Sequence, residues 1–231
     1  MQIISFYWDK FYQSFIEDDR YMYLVGGLRN TLLITVFALI IGVVLGFIVA
    51  KVRSTHDKRG GMNIANFICR IYLTVIRGTP TLLQLLIIYY CILVSVRNKV
   101  LIAAIAFGIN SGAYVAEIVR SGIMSVDEGQ YEAGRSLGLN YKDTMNLIIM
   151  PQAFKNVLPA LGNEMITLLK ETSISGYIGL MELTRGGDII RSQTYIAFMP
   201  LFGVAAIYLV LVMFITFLLS KLEARLRNSD R

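Results

Sequence analysis

Residues Glu132–Pro151 read EAGRSLGLNYKDTMNLIIMP. This stretch is too polar to cross a membrane. On either side lie long apolar runs, and such a run needs about 20 residues to span hydrocarbon. Ala133, Gly134, Ser136 and Gly138 crowd small side chains into one short segment, which lets another surface approach the backbone closely. Asp127 and Glu128 come just before it, favourably placed for a helix N-terminus. A patterned polar loop between membrane-length runs predicts a docking element on a small membrane protein.

Composition agrees. The chain has 231 residues, enough for one domain, with 55% hydrophobic and only 16% charged residues. Its mean hydropathy is +0.59. The net charge of +6 is not gathered into one stripe, so nucleic acid is an unsuitable partner; the basic residues bracket the apolar runs instead. Cys69 and Cys91 both fall in apolar segments and His56 is the single histidine, which predicts neither a disulfide framework nor a metal cluster. The start, MQIISFYWDKFYQSF, lacks the pattern of a cleavable signal peptide.

The runs predict five spans, roughly 31–52, 62–96, 100–119, 156–179 and 196–219, in one membrane domain over 1–231. The second is too long for a straight crossing and contains Arg77-Gly78-Thr79-Pro80. Pro80 removes a donor and Gly78 is permissive, so one long broken helix is expected rather than two spans. The fourth carries Asn163, Glu164, Lys170 and Glu171. Before the first span, the aromatic residues of Phe6–Phe15 predict a segment at the headgroup level.

Five spans put the two ends on opposite sides. Lys51, Arg53, Lys58 and Arg59, then Arg120, Arg135, Lys142 and Lys155, then Lys221, Arg225, Arg227 and Arg231 share one side. The other has Lys10, Arg20, Arg29, Arg97, Lys99, Arg185 and Arg191. The excess predicts an outer N-terminus, a cytoplasmic C-terminus and a cytoplasmic 120–155 loop.

Five positions of the opening stretch fall in register with a known pattern: Glu132, Ala133, Gly138, Ile148 and Pro151. It resembles the signature loop of bacterial ABC-importer permeases, Glu-Ala-Ala, three residues, Gly, nine residues, Ile-x-Leu-Pro. Gly134 and Met150 depart from it. GLRNTLLIT (Gly27–Thr35), IRGTPTLLQLL (Ile76–Leu86), SGAYVAEIVRSGI (Ser111–Ile123) and LPALGNEMITLLKETS (Leu158–Ser173) look like the polar-amino-acid type, which includes histidine, glutamine and arginine permeases. The resemblance implies an all-α, type I ABC-importer permease fold in the bacterial inner membrane, with five transmembrane helices and a cytoplasmic coupling helix. Glu132, Ala133, Gly134, Leu137 and Gly138 would contact an ATP-binding subunit. It further implies a second permease chain, identical or paralogous, and an extracellular or periplasmic solute-binding protein. The chain has no G-x-x-x-x-G-K-[ST] phosphate loop, so ATP and Mg would belong to the partner ATPase and the chain itself is no enzyme.

Polar residues within the spans are the candidate substrate contacts: Glu164, Asn163, Arg77, Thr79, Gln84, Ser111 and Tyr114. Glu164 lies about 12 Å into the fourth span by the helical rise, near the midplane of a core about 30 Å thick. A charge there needs a partner or a polar cavity. One reading makes it the contact for a cationic amino acid such as arginine, lysine or histidine. The others are an ion pair with Lys170 or Arg77, or a neutral polar substrate such as glutamine or cystine. Arg77 either meets a substrate carboxylate or pairs with a neighbouring acid. Glu117 and Arg120, three apart, read as a membrane-end ion pair, and the alternative makes them, with Ser111, Gly112 and Tyr114, a dimer-core or gate element. A stand-alone secondary transporter or channel, with Glu164 and Glu171 as ion ligands, is the reading from another class; the docking loop and the few spans oppose it.

Overall fold

A computed structural model describes residues 2–228, without the side chains of residues 2–4, 58, 59, 227 and 228. Of the expected inner basic residues, Arg231 and the side chains of Lys58, Arg59 and Arg227 therefore lie outside the described residues. The described chain is helical and contains no strand.

Ten helices follow in order: α1 (Gln2–Phe11), α2 (Tyr21–Arg59), α3 (Asn63–Gly78), α4 (Thr81–Ile87), α5 (Lys99–Met124), α6 (Glu128–Ser136), α7 (Tyr141–Thr144), α8 (Met150–Glu171), α9 (Leu183–Thr194) and α10 (Phe198–Asn228). Among the described residues, α2, α5 and α10 are each long and apolar enough to cross a membrane. The long second apolar run is broken where Gly78 and Pro80 predicted a break: α3 ends at Gly78 and a second helical stretch runs from Thr81 to Ile92. Counted as one crossing, the pair brings the total to four. The expected fourth span differs. It consists of α8 followed by a tight 3-10 turn, Thr172–Ile178. With 22 residues α8 is about 33 Å long, sufficient to cross. Its Lys155, Glu164, Lys170 and Glu171 are what lower its apolar content.

The chain divides into two compact units. One comprises Met1–Ala38, Leu82–Phe107 and Ile166–Ile215. Its core joins Phe15, Leu24, Leu183, Ile190 and Val204. Here α9 is held at its first turn. The fully buried Glu182 caps it, accepting from the N–H groups of Thr184 (2.7 Å) and Arg185 (2.6 Å). Burial pushes the Glu182 carboxyl up, and those N–H donors act against the shift. Helix α2 grips the preceding loop, since Asn30 donates to the Met181 carbonyl at 2.7 Å and Thr31 Oγ1 accepts from Leu183 N at 3.2 Å.

The other unit comprises Leu39–Thr81, Gly108–Met165 and Thr216–Arg231. One core cluster packs Val115, Val119, Ile123 and Val126 against Ile149, Ala153 and Val157. A second joins Val49, Leu73, Ala113 and Ala116. Valine and alanine at successive turns bring α5 and α8 side by side, which places the polar residues on their shared edge.

Candidate functional site

Two features of the second unit have functional geometry. The first is a cleft of about 480 Å³. Tyr114, Ile118, Ser121 and Gly122 line it from α5, with Ser125 just past the end of that helix, and Asn156, Ala160 and Glu164 from α8. Each set follows helical spacing, so each is one stripe of one helix. Arg77, from the last turn of α3, and Glu117 complete the lining.

Glu164 is held in place. Fully buried Ser111 donates its hydroxyl to Glu164 Oε1 at 2.7 Å. It fixes one carboxylate oxygen and leaves further acceptor capacity on the cleft side. The structural pairing of Glu164 with Arg77 is not what the structure records. Arg77 Nη1 lies 3.9 Å from Glu117 Oε1, and its guanidinium carbon is 5.8 Å from the centre of the Tyr114 ring. A pair that long, on a half-exposed arginine, is weak. It leaves most of the five guanidinium donors available to the cleft. Glu117 also accepts from Arg120, at 3.2 Å from Nη2 and 3.3 Å from Nε. The expected Glu117–Arg120 pair is thus present, and Glu117 is in addition a wall of the cleft. The lining combines two carboxylates with one guanidinium. It can receive a zwitterion through opposite charges, with one carboxylate left for a further cation.

The structure brings Glu164, Ser111, Tyr114 and Arg77 together. Asn163 and Thr79 are not part of the cleft lining. Asn163 is exposed and absent from the cleft lining although it adjoins Glu164. Thr79 donates its hydroxyl to the Val75 carbonyl at 2.8 Å, extending the end of α3. Gln84 is buried in the first unit. The sequence-based candidates for substrate contact left out Asn156 and placed Glu117 in an ion pair or a dimer-core or gate element instead. Spacing held the signal: Asn156, Ala160 and Glu164 recur every four residues, so the face of Glu164 points to Asn156.

The second feature is the polar loop. Helix α6 begins at Asp127, whose Oδ1 accepts from Gly129 N at 2.7 Å. It ends in a Schellman turn: Leu139 N donates to the Gly134 carbonyl (3.1 Å) and Gly138 N to that of Arg135 (3.0 Å). Gly138 has φ +83°, the left-handed conformation that this turn requires. Asn140 then caps α7, accepting from Asp143 N at 3.0 Å. From α7 the chain passes through a π turn, Met145–Ile149, directly into α8. Gly134 faces inward: a Cβ there would lie 2.7 Å from Thr144 Cγ2 and 2.9 Å from Ile148 Cδ1. The glycine in place of the pattern's alanine is thereby explained by packing within the loop. Glu132, Ala133, Leu137 and Gly138 are exposed, Leu137 at 80%. An apolar side chain held out by a rigid turn suits a partner surface.

Similarity to known proteins runs through both features. The family model described as binding-protein-dependent transport system inner membrane component matches residues 42–228. A Rickettsia felis protein, provisionally named glutamine transport system permease protein GlnP, is 40% identical over 210 residues, covering 90% of this chain and 94% of that one. The arginine transport system permease protein ArtQ of Bacillus subtilis is 40% identical over 211 residues, covering 90% and 94%. A crystal structure described as an amino acid ABC transporter with histidines superposes with a TM-score of 0.83 at 42% identity, covering 91% of this chain and 98% of that one.

Proposed function

Because this chain belongs to the family of binding-protein-dependent transport system inner membrane components and is a permease subunit of an ABC amino-acid importer, we propose that it carries a basic amino acid inward. Arginine, lysine and histidine are the candidates. The observation that carries this reading is Glu164, oriented by Ser111 in a cleft where Arg77 is drawn towards Glu117. An α-carboxylate finds Arg77, an α-ammonium finds Glu117, and the side-chain cation finds Glu164. The arginine permease relative supports it.

The same proposal assigns the remaining parts. A separate ATP-binding subunit docks on α6 and the turn through Leu137 and Gly138, and holds the ATP and Mg. Alternating access of the membrane chains follows its cycle. A solute-binding protein delivers substrate at the outer face, and a second permease chain completes the membrane unit. The N-terminus faces outward and the C-terminus the cytoplasm.

A second reading is a neutral polar substrate such as glutamine. The glutamine permease relative favours it, and in that case Glu164 accepts a hydrogen bond from a side-chain amide.

Vesicles containing the chain, its ATPase and its binding protein test these assignments together. Uptake of labelled arginine should be displaced by lysine or histidine and little affected by glutamine. In the same vesicles, cysteine placed at Asn98 should react only from outside and cysteine at Asn140 only from inside. Stronger displacement by glutamine than by lysine and histidine would move the assignment to the neutral class. External labelling at Asn140 would reverse the orientation.

A further inference from the structure

We infer that α1 is an in-plane anchor, seated in the lipid headgroup layer by aromatic partition rather than by charge. The helix has ten residues, about 15 Å at the helical rise, and cannot cross a bilayer. It nevertheless exposes a dense aromatic surface. Phe6, Tyr7, Trp8 and Phe11 on the helix, and Tyr12 just after it, are all exposed, Trp8 at 64%. Phe6 packs edge-on against Tyr7 at 5.7 Å between ring centres, and Trp8 stacks on Phe11 at 5.8 Å. Side chains of this size left in water are costly; fully burying one is worth about 1.5–3 kcal/mol.

What covers that surface is indicated by its neighbour. Within the first unit, Tyr7 lies 6.5 Å from Phe198, the residue that begins α10. Phe198 in turn packs on Phe202, one turn along, at 4.3 Å. Just after α1, the ring of Phe15 lies where a Cβ on Gly203 would come within 2.9 Å of it. Helix α10 is apolar from its first residue and long enough to span. Contact with its first turns therefore sets α1 at the depth where a membrane helix enters the bilayer. Aromatic rings with one polar edge are enriched at that level. Tyr195, 94% exposed, lies in the short link before α10 and shares a shallow groove with Phe6, Tyr7 and Lys10.

Charge cannot be the attraction. Between Ser5 and Arg20 the chain has Asp9, Glu17, Asp18 and Asp19 against Lys10 and Arg20. Arg20 is paired with Glu17 and Asp18, at 3.1 and 2.6 Å. Polybasic segments draw anionic lipid at about 1 kcal/mol per cation, and none is present here. Anchoring should accordingly be indifferent to lipid charge and to salt.

Trp8 is the single tryptophan of the chain, so the intact protein contains its own probe. The experiment measures Trp8 emission of the full chain in nanodiscs of phosphatidylcholine, with and without phosphatidylglycerol. The quenchers are lipids spin-labelled at the headgroup or deep in the acyl chain, and aqueous iodide. The expected result is a blue-shifted emission, quenched most by the headgroup label, equally in both lipids and at low and high salt. A W8F/F202W variant supplies a depth marker and should respond more strongly to the deeper label. Full quenching by iodide with none by lipid would overturn the inference. Quenching confined to phosphatidylglycerol and lost in salt would replace aromatic partition with charge. Strongest quenching of Trp8 by the deep label would mean insertion into hydrocarbon and would equally refute an in-plane seat. Protection seen only after adding the solute-binding protein would make this a protein interface.

Discussion

Replacing Glu164 by glutamine is expected to cut uptake of arginine, lysine or histidine ten- to hundred-fold while leaving glutamine uptake nearly unchanged. The change keeps the shape and removes the charge. Ser111 can still donate to the amide oxygen, so the 2.7 Å bond that orients residue 164 retains its acceptor. What is lost is a charge-assisted hydrogen bond to the substrate cation, worth about 1.5–3 kcal/mol, or roughly one to two decades in affinity. Competition in reconstituted vesicles at saturating binding protein reads this directly. Equal losses for cationic and neutral substrates would mean that Glu164 supports the helices rather than the substrate. Unaltered cationic uptake would move selectivity to Arg77, Glu117 and Tyr114.

A comparable loss is expected at the docking turn from Leu137→Asp. Leu137 projects from the C-terminus of α6 into open space, so the change should alter stability by no more than about 0.5 kcal/mol. Burying a leucine against a partner is worth about 1.5–3 kcal/mol, and an aspartate would forfeit it. ATPase association should weaken ten- to hundred-fold, with substrate-stimulated ATP hydrolysis lost in proportion. Gly138 is the less suitable target. Its φ of +83° means that Gly138→Trp would strain the turn by about 1–2 kcal/mol besides blocking the surface. Undiminished association of the Leu137→Asp chain with its ATPase would remove the docking assignment.

The sequence made the helices legible because apolar length is a property of composition. The break at Gly78–Pro80 was equally legible, since those two residues limit the backbone whatever surrounds them. The charges of α8 made it a candidate site in the sequence and also lower its apolar content below that of α2, α5 and α10. In the site, Glu164 stood out through the cost of a charge at that depth. Ser111 was read as a separate substrate contact, and only the packing of α5 against α8 pairs it with Glu164. Glu117 was read as paired with Arg120 because spacing along one helix reveals neighbours three apart. Its approach to Arg77 is a contact between helices, which spacing cannot reveal. Gly134 carried the opposite lesson: a small residue in a docking motif suggested an external contact, whereas Thr144 and Ile148 occupy the space beside it.

The most direct measurement is the position of bound arginine in an experimental structure of the permease–ATPase complex. The guanidinium is expected within about 2.7–2.9 Å of a Glu164 carboxylate oxygen, with the substrate carboxylate on Arg77. Arginine bound with its carboxylate towards Glu164, or outside the cleft of Arg77, Tyr114, Glu117 and Glu164, would contradict the assignment.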